Sequence, residues 1–134
     1  MSAALLDTNI LIYAFSTDPR NAVAESLLAS GCVVSIQGLN EFANVAHRKL
    51  NFSWEEVRTA IAAIRTVCPS ILPLDADTQM DALSIAEKYR LSYFDSLMLA
   101  AGLRGNCEIL WSEDMHDGLV IEDKLRIANP FKAG

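Results

Sequence analysis

Along the chain, short apolar runs alternate with longer stretches whose apolar positions recur every three or four residues. Residues 3–6 read as a short apolar strand, and the apolar stretch 9–15 is compatible with a helix. Asp18-Pro19 marks a turn. Residues 22–29 read as a helix stopped by Ser30-Gly31, and "CVVS" (32–35) as a buried strand rich in β-branched side chains. Residues 37–50 place Leu39, Phe42, Ala43, Ala46 and Leu50 on one helical face. Ser53 with Glu56 three residues later forms a capping-box pattern opening a helix that ends near Cys68-Pro69. "ILPL" (71–74) reads as a third strand, Asp77 as the cap of a helix reaching about Tyr89, and Asp75 as a further capping residue. Ser92 opens a helix through Leu103 with Gly105 as its stop, and "EILW" (108–111) is a fourth strand. The tail "LRIANPF" (125–131) carries a short edge strand halted by Pro130.

Short apolar strands separated by helices predict an α/β fold: a parallel sheet of four to five strands covered by helices on both faces. Ligands of such sheets bind in the crevice beyond the carboxyl ends of the strands. Asp7, Asp75 and the run Ser112-Glu113-Asp114 all follow strand ends. The pattern therefore gathers several carboxylates toward one edge.

Composition narrows the possibilities. The length of 134 residues suits a single domain, 1–134, with no linker or repeat to divide it, and 51% hydrophobic residues exclude disorder. No apolar stretch is long enough to span a bilayer, and no basic n-region precedes the first apolar run. Cys32, Cys68 and Cys107 lack zinc or redox spacing and read as buried small hydrophobes, which suits the cytoplasm. The net charge of −6, from 11 basic and 17 acidic residues, argues against a protein that grips nucleic acid by general electrostatic attraction. It is compatible with a nuclease whose acids are neutralised by cations, and it leaves room for a basic protein partner.

Each candidate acid has an ordinary explanation. Asp7, the one acid in "LLDTNILIYAF", suits a strand end that caps the next helix. Periodicity alone puts Glu41 opposite the Leu39/Phe42/Ala46 stripe, as a solvated glutamate within reach of Arg48. Asp95 follows Ser92 in an S-x-x-D pattern, where an acid favours the helix dipole. Asp114 shares an acidic loop with Glu113 and Asp117, and neither His47 nor His116 has a partner at ligand spacing. Met80, Met98 and Met115 read as core or loop residues, and Tyr13, Phe15, Tyr93 and Phe94 as packed aromatics. Taken singly, no residue identifies a chemistry.

Taken in order, four stretches do. The "DTN" at Asp7, the "NEF" at Glu41, the "YFDSLMLAAG" at Asp95 and the "LWSEDM" at Ser112 and Asp114 are separated by 34, 54 and 19 positions between their acids. This series resembles the PIN-domain ribonucleases, particularly the VapC-like toxins of bacterial type II toxin–antitoxin pairs, over nearly the whole chain. The resemblance implies a doubly wound domain whose acids meet in one pocket and an endoribonuclease that depends on Mg²⁺ or Mn²⁺. It further implies a cognate antitoxin as partner, RNA as substrate and a homodimer. The extra acid Asp117 leaves open how much of the fourth stretch serves the site.

The chemistry gives such a set a reason. Two carboxylates ~4 Å apart repel by roughly 4 kcal/mol at an effective dielectric near 20, so four together call for cations. All-oxygen donors favour Mg²⁺ or Mn²⁺ over zinc, and such ions activate water and stabilise a leaving oxygen. On this reading Asp7 and Asp95 are the principal metal ligands. Glu41 and Asp114 complete the cluster, and Asn9 and Ser112 support it by hydrogen bonds. Two rival readings are a catalytically inactive PIN-like binding module and a receiver-type domain phosphorylated at Asp75. Against the second, Asp7 lacks an adjacent acid, and no lysine follows Trp111 in Ser-Glu-Asp.

Overall fold

Leu5 and Leu6 are adjacent and both wholly buried, yet they serve different cores. Successive side chains of a strand point to opposite faces, so a strand buried on both sides must be apolar throughout. That strand is β1 (Ala3–Leu6). The computed structural model describes residues 3–132. After β1 come α1 (Thr8–Ala14), α2 (Asn21–Ala29), β2 (Val34–Ser35), α3 (Ile36–Lys49), α4 (Trp54–Val67) and β3 (Ile71–Leu72). The chain continues with α5 (Ala76–Tyr89), α6 (Tyr93–Arg104), β4 (Cys107–Trp111), β5 (Val120–Ile121) and β6 (Leu125–Ala128).

Four strands form a sheet in the order β1-β4-β6-β5, parallel except for β5, and β2 pairs in parallel with β3. A parallel bridge between Leu5 and Val33 joins the two sheets across β1. From β1 the chain thus passes first to β2 on one side and later to β4 on the other. Such a reversal opens a crevice at the carboxyl end of the strand, where an open α/β sheet takes its ligand. Leu6, Ile10, Leu11, Phe42 and Ile64 fill the core on one face of the sheet. Leu5, Met98, Leu99, Leu110, Leu125 and Ile127 fill the other. The predicted α/β architecture is the observed one.

Four details differ from the sequence reading. The tail strand β6 is interior, because β5 adds beyond it as an antiparallel edge. A two-residue strand has no period, and its turn runs through Glu122 and Asp123, both at positive φ, so no pattern announces it. The cap of α5 is Asp75, which accepts from the Thr78 N–H at 2.9 Å, while Asp77 lies inside the first turn. The third strand stops at Leu72, since Pro73 has no N–H to donate to a ladder. Met80 and Phe94 are exposed, whereas Met98 and Met115 are buried as expected. Cys32, Cys68 and Cys107 are free and buried. Among the described residues, no helix is long and apolar enough to cross a membrane.

Candidate functional site

Asp7 lies at the switch point, between the end of β1 and the start of α1. Its backbone N–H donates to the Trp111 carbonyl at 3.0 Å, so the ends of β1 and β4 are level. The side chain is only 7% exposed. One carboxylate oxygen accepts from the Thr8 N–H at 2.7 Å, capping α1, and the other accepts from Ser112 Oγ at 2.6 Å. Ser112, wholly buried just past β4, in turn accepts from the Met115 N–H at 3.2 Å. The capping role that the sequence allows for Asp7 is therefore real, but it occupies only part of the carboxylate.

Two helices bring further acids toward Asp7. Helix α3 starts at Ser35, whose Oγ caps the Gly38 N–H at 2.9 Å and donates to Met98 Sδ at 3.1 Å on α6. A Cβ at Gly38 would stand 3.3 Å from Ser35 Oγ and 3.4 Å from Met98 Cε, so its absence lets the first turn of α3 settle against α6. One turn on, Glu41 is half-buried rather than solvated. It accepts from Gln37 Nε2 at 3.0 Å and does not pair with Arg48. The periodicity reading misplaces it because α3 is covered by α1, α4 and α6 together, so its polar stripe also faces protein. Asp95 occupies the first turn of α6, behind the Ser92 cap that accepts from its N–H at 3.2 Å.

The electrostatics link these three. Burial pushes the Asp7 carboxyl from an ordinary 3.8 up to about 6; the hydrogen bonds from Ser112 and Thr8 oppose this, and the charges of Asp95 and Glu41 add to it. Burial likewise raises Glu41, with the Gln37 hydrogen bond opposing and the charge of Asp95 adding. Asp114 stands apart on an exposed loop, where its charge reaches Tyr13. Its two acidic neighbours are otherwise engaged. Glu113 accepts from the Tyr13 hydroxyl at 2.5 Å and from Arg20 Nη1 at 2.8 Å. Asp117 accepts from the Asn129 N–H at 2.8 Å and from Lys132 Nζ at 3.0 Å. Asp75 is engaged by Thr78 through its cap, and Thr78 Oγ1 also donates to the same carboxylate oxygen at 2.7 Å.

Among the described residues, no three His, Cys, Asp or Glu side chains stand close enough as placed to hold a metal ion. The donor chemistry nevertheless fits a hard divalent cation. None of the ion pairs among the described residues engages Asp7, Glu41, Asp95 or Asp114. Beside Asp7, both amide atoms of Asn9 are buried without a hydrogen-bond partner, and the Thr8 hydroxyl faces the Glu41 carboxyl, whose pKa it helps to lower, without a well-aligned hydrogen bond. Such orphans are costly unless something in the functional state engages them. Thr8 and Gln37, which sequence reasoning missed, both lie against the Glu41 carboxyl. Gln37 carries a signal in its i, i+4 spacing to Glu41, whereas the Thr8 hydroxyl carries none.

The sequence matches the PIN domain family model over residues 4–116. The chain belongs to the PIN-domain family. A toxin–antitoxin complex from Klebsiella pneumoniae contains a chain similar to this PIN domain at TM-score 0.74 and 22% identity, covering 98% of this chain and 100% of that one. The Mycobacterium tuberculosis toxin VapC20, described as cleaving the sarcin-ricin loop, aligns at TM-score 0.69 and 21% identity over 84% and 90% of the two chains. VapBC2 from Rickettsia felis, bound to a DNA fragment from its promoter, aligns at TM-score 0.68 and 18% identity over 95% and 98%. At these identities the likeness is one of fold. No curated protein matches the sequence of this PIN domain.

Proposed function

We propose that this PIN domain is a divalent-metal-dependent endoribonuclease and the toxin of a toxin–antitoxin pair. The observation that carries the reading is the buried, charge-poor setting of Asp7, raised to about 6 at the sheet's switch point with Glu41 and Asp95 as its acidic neighbours. A carboxylate so placed does more than its capping of α1 requires, and it is well suited to sharing a cation. The proteins of similar fold include a toxin described as cleaving the sarcin-ricin loop and a chain of a toxin–antitoxin complex, which supports the same class.

On this reading Asp7 and Asp95 hold the cation directly, and Glu41 and Asp114 complete its surroundings. The chemistry such an ion supplies is polarisation of the scissile phosphate, activation of a water and compensation of charge on the leaving oxygen. Ser112 fixes the orientation of Asp7 through its 2.6 Å hydrogen bond, leaving the carboxylate's remaining lone pairs for the cation. Gln37 does the same for Glu41. Asn9, beside Asp7, supplies an amide that can orient a water or a phosphate oxygen. Mg²⁺ and Mn²⁺ are the ions this all-oxygen set favours. A basic segment of an antitoxin would neutralise the same acids, a homodimer is the expected assembly and the cytoplasm the expected setting.

The deciding experiment incubates the purified protein with total RNA in Mg²⁺ or Mn²⁺, with and without chelator, and maps the cut ends. Discrete cleavage lost on chelation and in Asp95→Asn supports the reading. Intact RNA, from a protein that still binds Mn²⁺, would make it a non-catalytic binding module.

A further inference from the structure

Asp114 belongs to a loop that could wander, and it makes no side-chain hydrogen bond among those described. Its neighbours do not share that freedom. On one side, Ser112 is fixed to Asp7; between the two, Glu113 receives three contacts from a single cluster. The Tyr13 hydroxyl donates to Glu113 Oε1 at 2.5 Å, and Arg20 Nη1 donates to Oε1 at 2.9 Å and Oε2 at 2.8 Å. The rest of the Arg20 fork is held by Asp18, with Nε to Oδ1 and Nη2 to Oδ2 both at 2.7 Å. The guanidinium lies 4.1 Å from the centre of the Tyr13 ring, and Phe131 meets that ring edge-on at 5.4 Å. A planar fork satisfied on two carboxylates and stacked on an aromatic ring is pre-organised.

Tyr13 belongs to α1, the helix that Asp7 caps, and Arg20 is the residue from which α2 begins. The cluster therefore ties the loop after β4 to the same element that carries Asp7. We propose that Tyr13, Arg20 and Glu113 are positioning residues that fix the loop after β4, so that Asp114 reaches the cation it would share with Asp7. This rests on the reading of Asp114 as a ligand. All three nitrogens of the Arg20 guanidinium donate to protein carboxylates, and on this proposal its task is to order the loop rather than to bind RNA phosphate. Glu113, although adjacent to the ligand, contributes to the site through its partners.

The test is a double-mutant cycle read by metal alone. Mn²⁺ affinity is measured by titration calorimetry for wild type, Tyr13→Phe, Arg20→Gln, Asp114→Asn and each clamp variant combined with Asp114→Asn. Tyr13→Phe keeps the ring between Arg20 and Phe131 and removes only the hydroxyl, so it guards against misfolding of Arg20→Gln. Each clamp variant is expected to weaken Mn²⁺ binding roughly tenfold, as losses of outer partners do. In the Asp114→Asn background the further loss should nearly vanish, because the clamp acts through that residue. In metal-free protein the Met115 amide, which donates to Ser112 in the same loop, should exchange faster in the clamp variants. Unchanged Mn²⁺ affinity in a folded Tyr13→Phe, or losses that simply add to that of Asp114→Asn, would overturn the proposal. Wild-type protein that binds Mn²⁺ but leaves RNA intact removes the ribonuclease reading while the cycle still decides the clamp. Absence of Mn²⁺ binding removes both.

Discussion

At the scale of single residues, Asp7 carries the sharpest prediction. Its folded pKa is raised from 3.8 to about 6. A raised carboxyl contributes stability that is full below the unfolded value and is lost as pH climbs through the folded one. In chelator, the wild-type protein should therefore lose stability between about pH 4 and pH 7, by an amount on the order of 3 kcal/mol for two pKa units. Asp7→Asn removes the charge that causes the loss, and it should melt above wild type at pH 8 in chelator while matching it near pH 4. The same variant should lose RNA cleavage entirely. Thermal melts at both pH values check this, and a variant less stable than wild type at pH 8 would contradict the account. Ser112→Ala acts in the opposite sense. It removes the donor to Asp7 and leaves the Met115 N–H without its acceptor. A loss of roughly 1–3 kcal/mol is expected from one unmet buried partner, measured by denaturant unfolding at neutral pH.

At the scale of elements, the glycines decide how close the helices come. Gly102 on α6 faces Leu125 and Leu5, and a Cβ there would lie 3.0 Å from a methyl of each. Both leucines are wholly buried, so neither can give way without moving its neighbours. Overpacking of this kind costs roughly 1–3 kcal/mol, against about 1 kcal/mol recovered from replacing glycine in a helix. Gly102→Ala should thus lower the melting temperature by a few degrees and shift α6, and with it Asp95. Any net stabilisation would show that the core has room that this packing denies. Elements were also what the sequence disclosed best. The runs at 3–6 and 108–111, the capping box at Ser53 and the cap at Ser92 are local signals, and each is where it was expected. The strand at Val120–Ile121 was not legible, since its pairing is with Leu125 and Arg126 and its own two residues carry no period. Glu41 was legible only through its motif. Its helical angle pointed to solvent, and what buries it is the meeting of α3 with helices remote in sequence.

At the scale of the whole molecule, the charge distribution governs how RNA can be held. The net charge of −6 opposes a polyanion, and four of the eleven basic side chains, Arg20, Lys88, Arg104 and Lys132, are already paired with an acid. A nuclease that gripped RNA through a basic track would release many counterions, and its apparent affinity would fall steeply with salt, by about 0.7 log units per log unit of salt for each phosphate neutralised on a single strand. Here the cation beside Asp7 and Asp95 would supply the main attraction, so one or two phosphates at most should be engaged electrostatically. Log kcat/KM for a short single-stranded RNA, followed against log KCl at fixed saturating Mg²⁺, should have a slope of roughly −0.7 to −1.4. Lowering Mg²⁺ at constant KCl should reduce kcat/KM far more sharply than doubling KCl does. A slope of about −4 or steeper would mean that the basic side chains outside these ion pairs, such as Arg58 and Arg65 on α4, form a track along the RNA, and would overturn the account in which the cation supplies the main attraction.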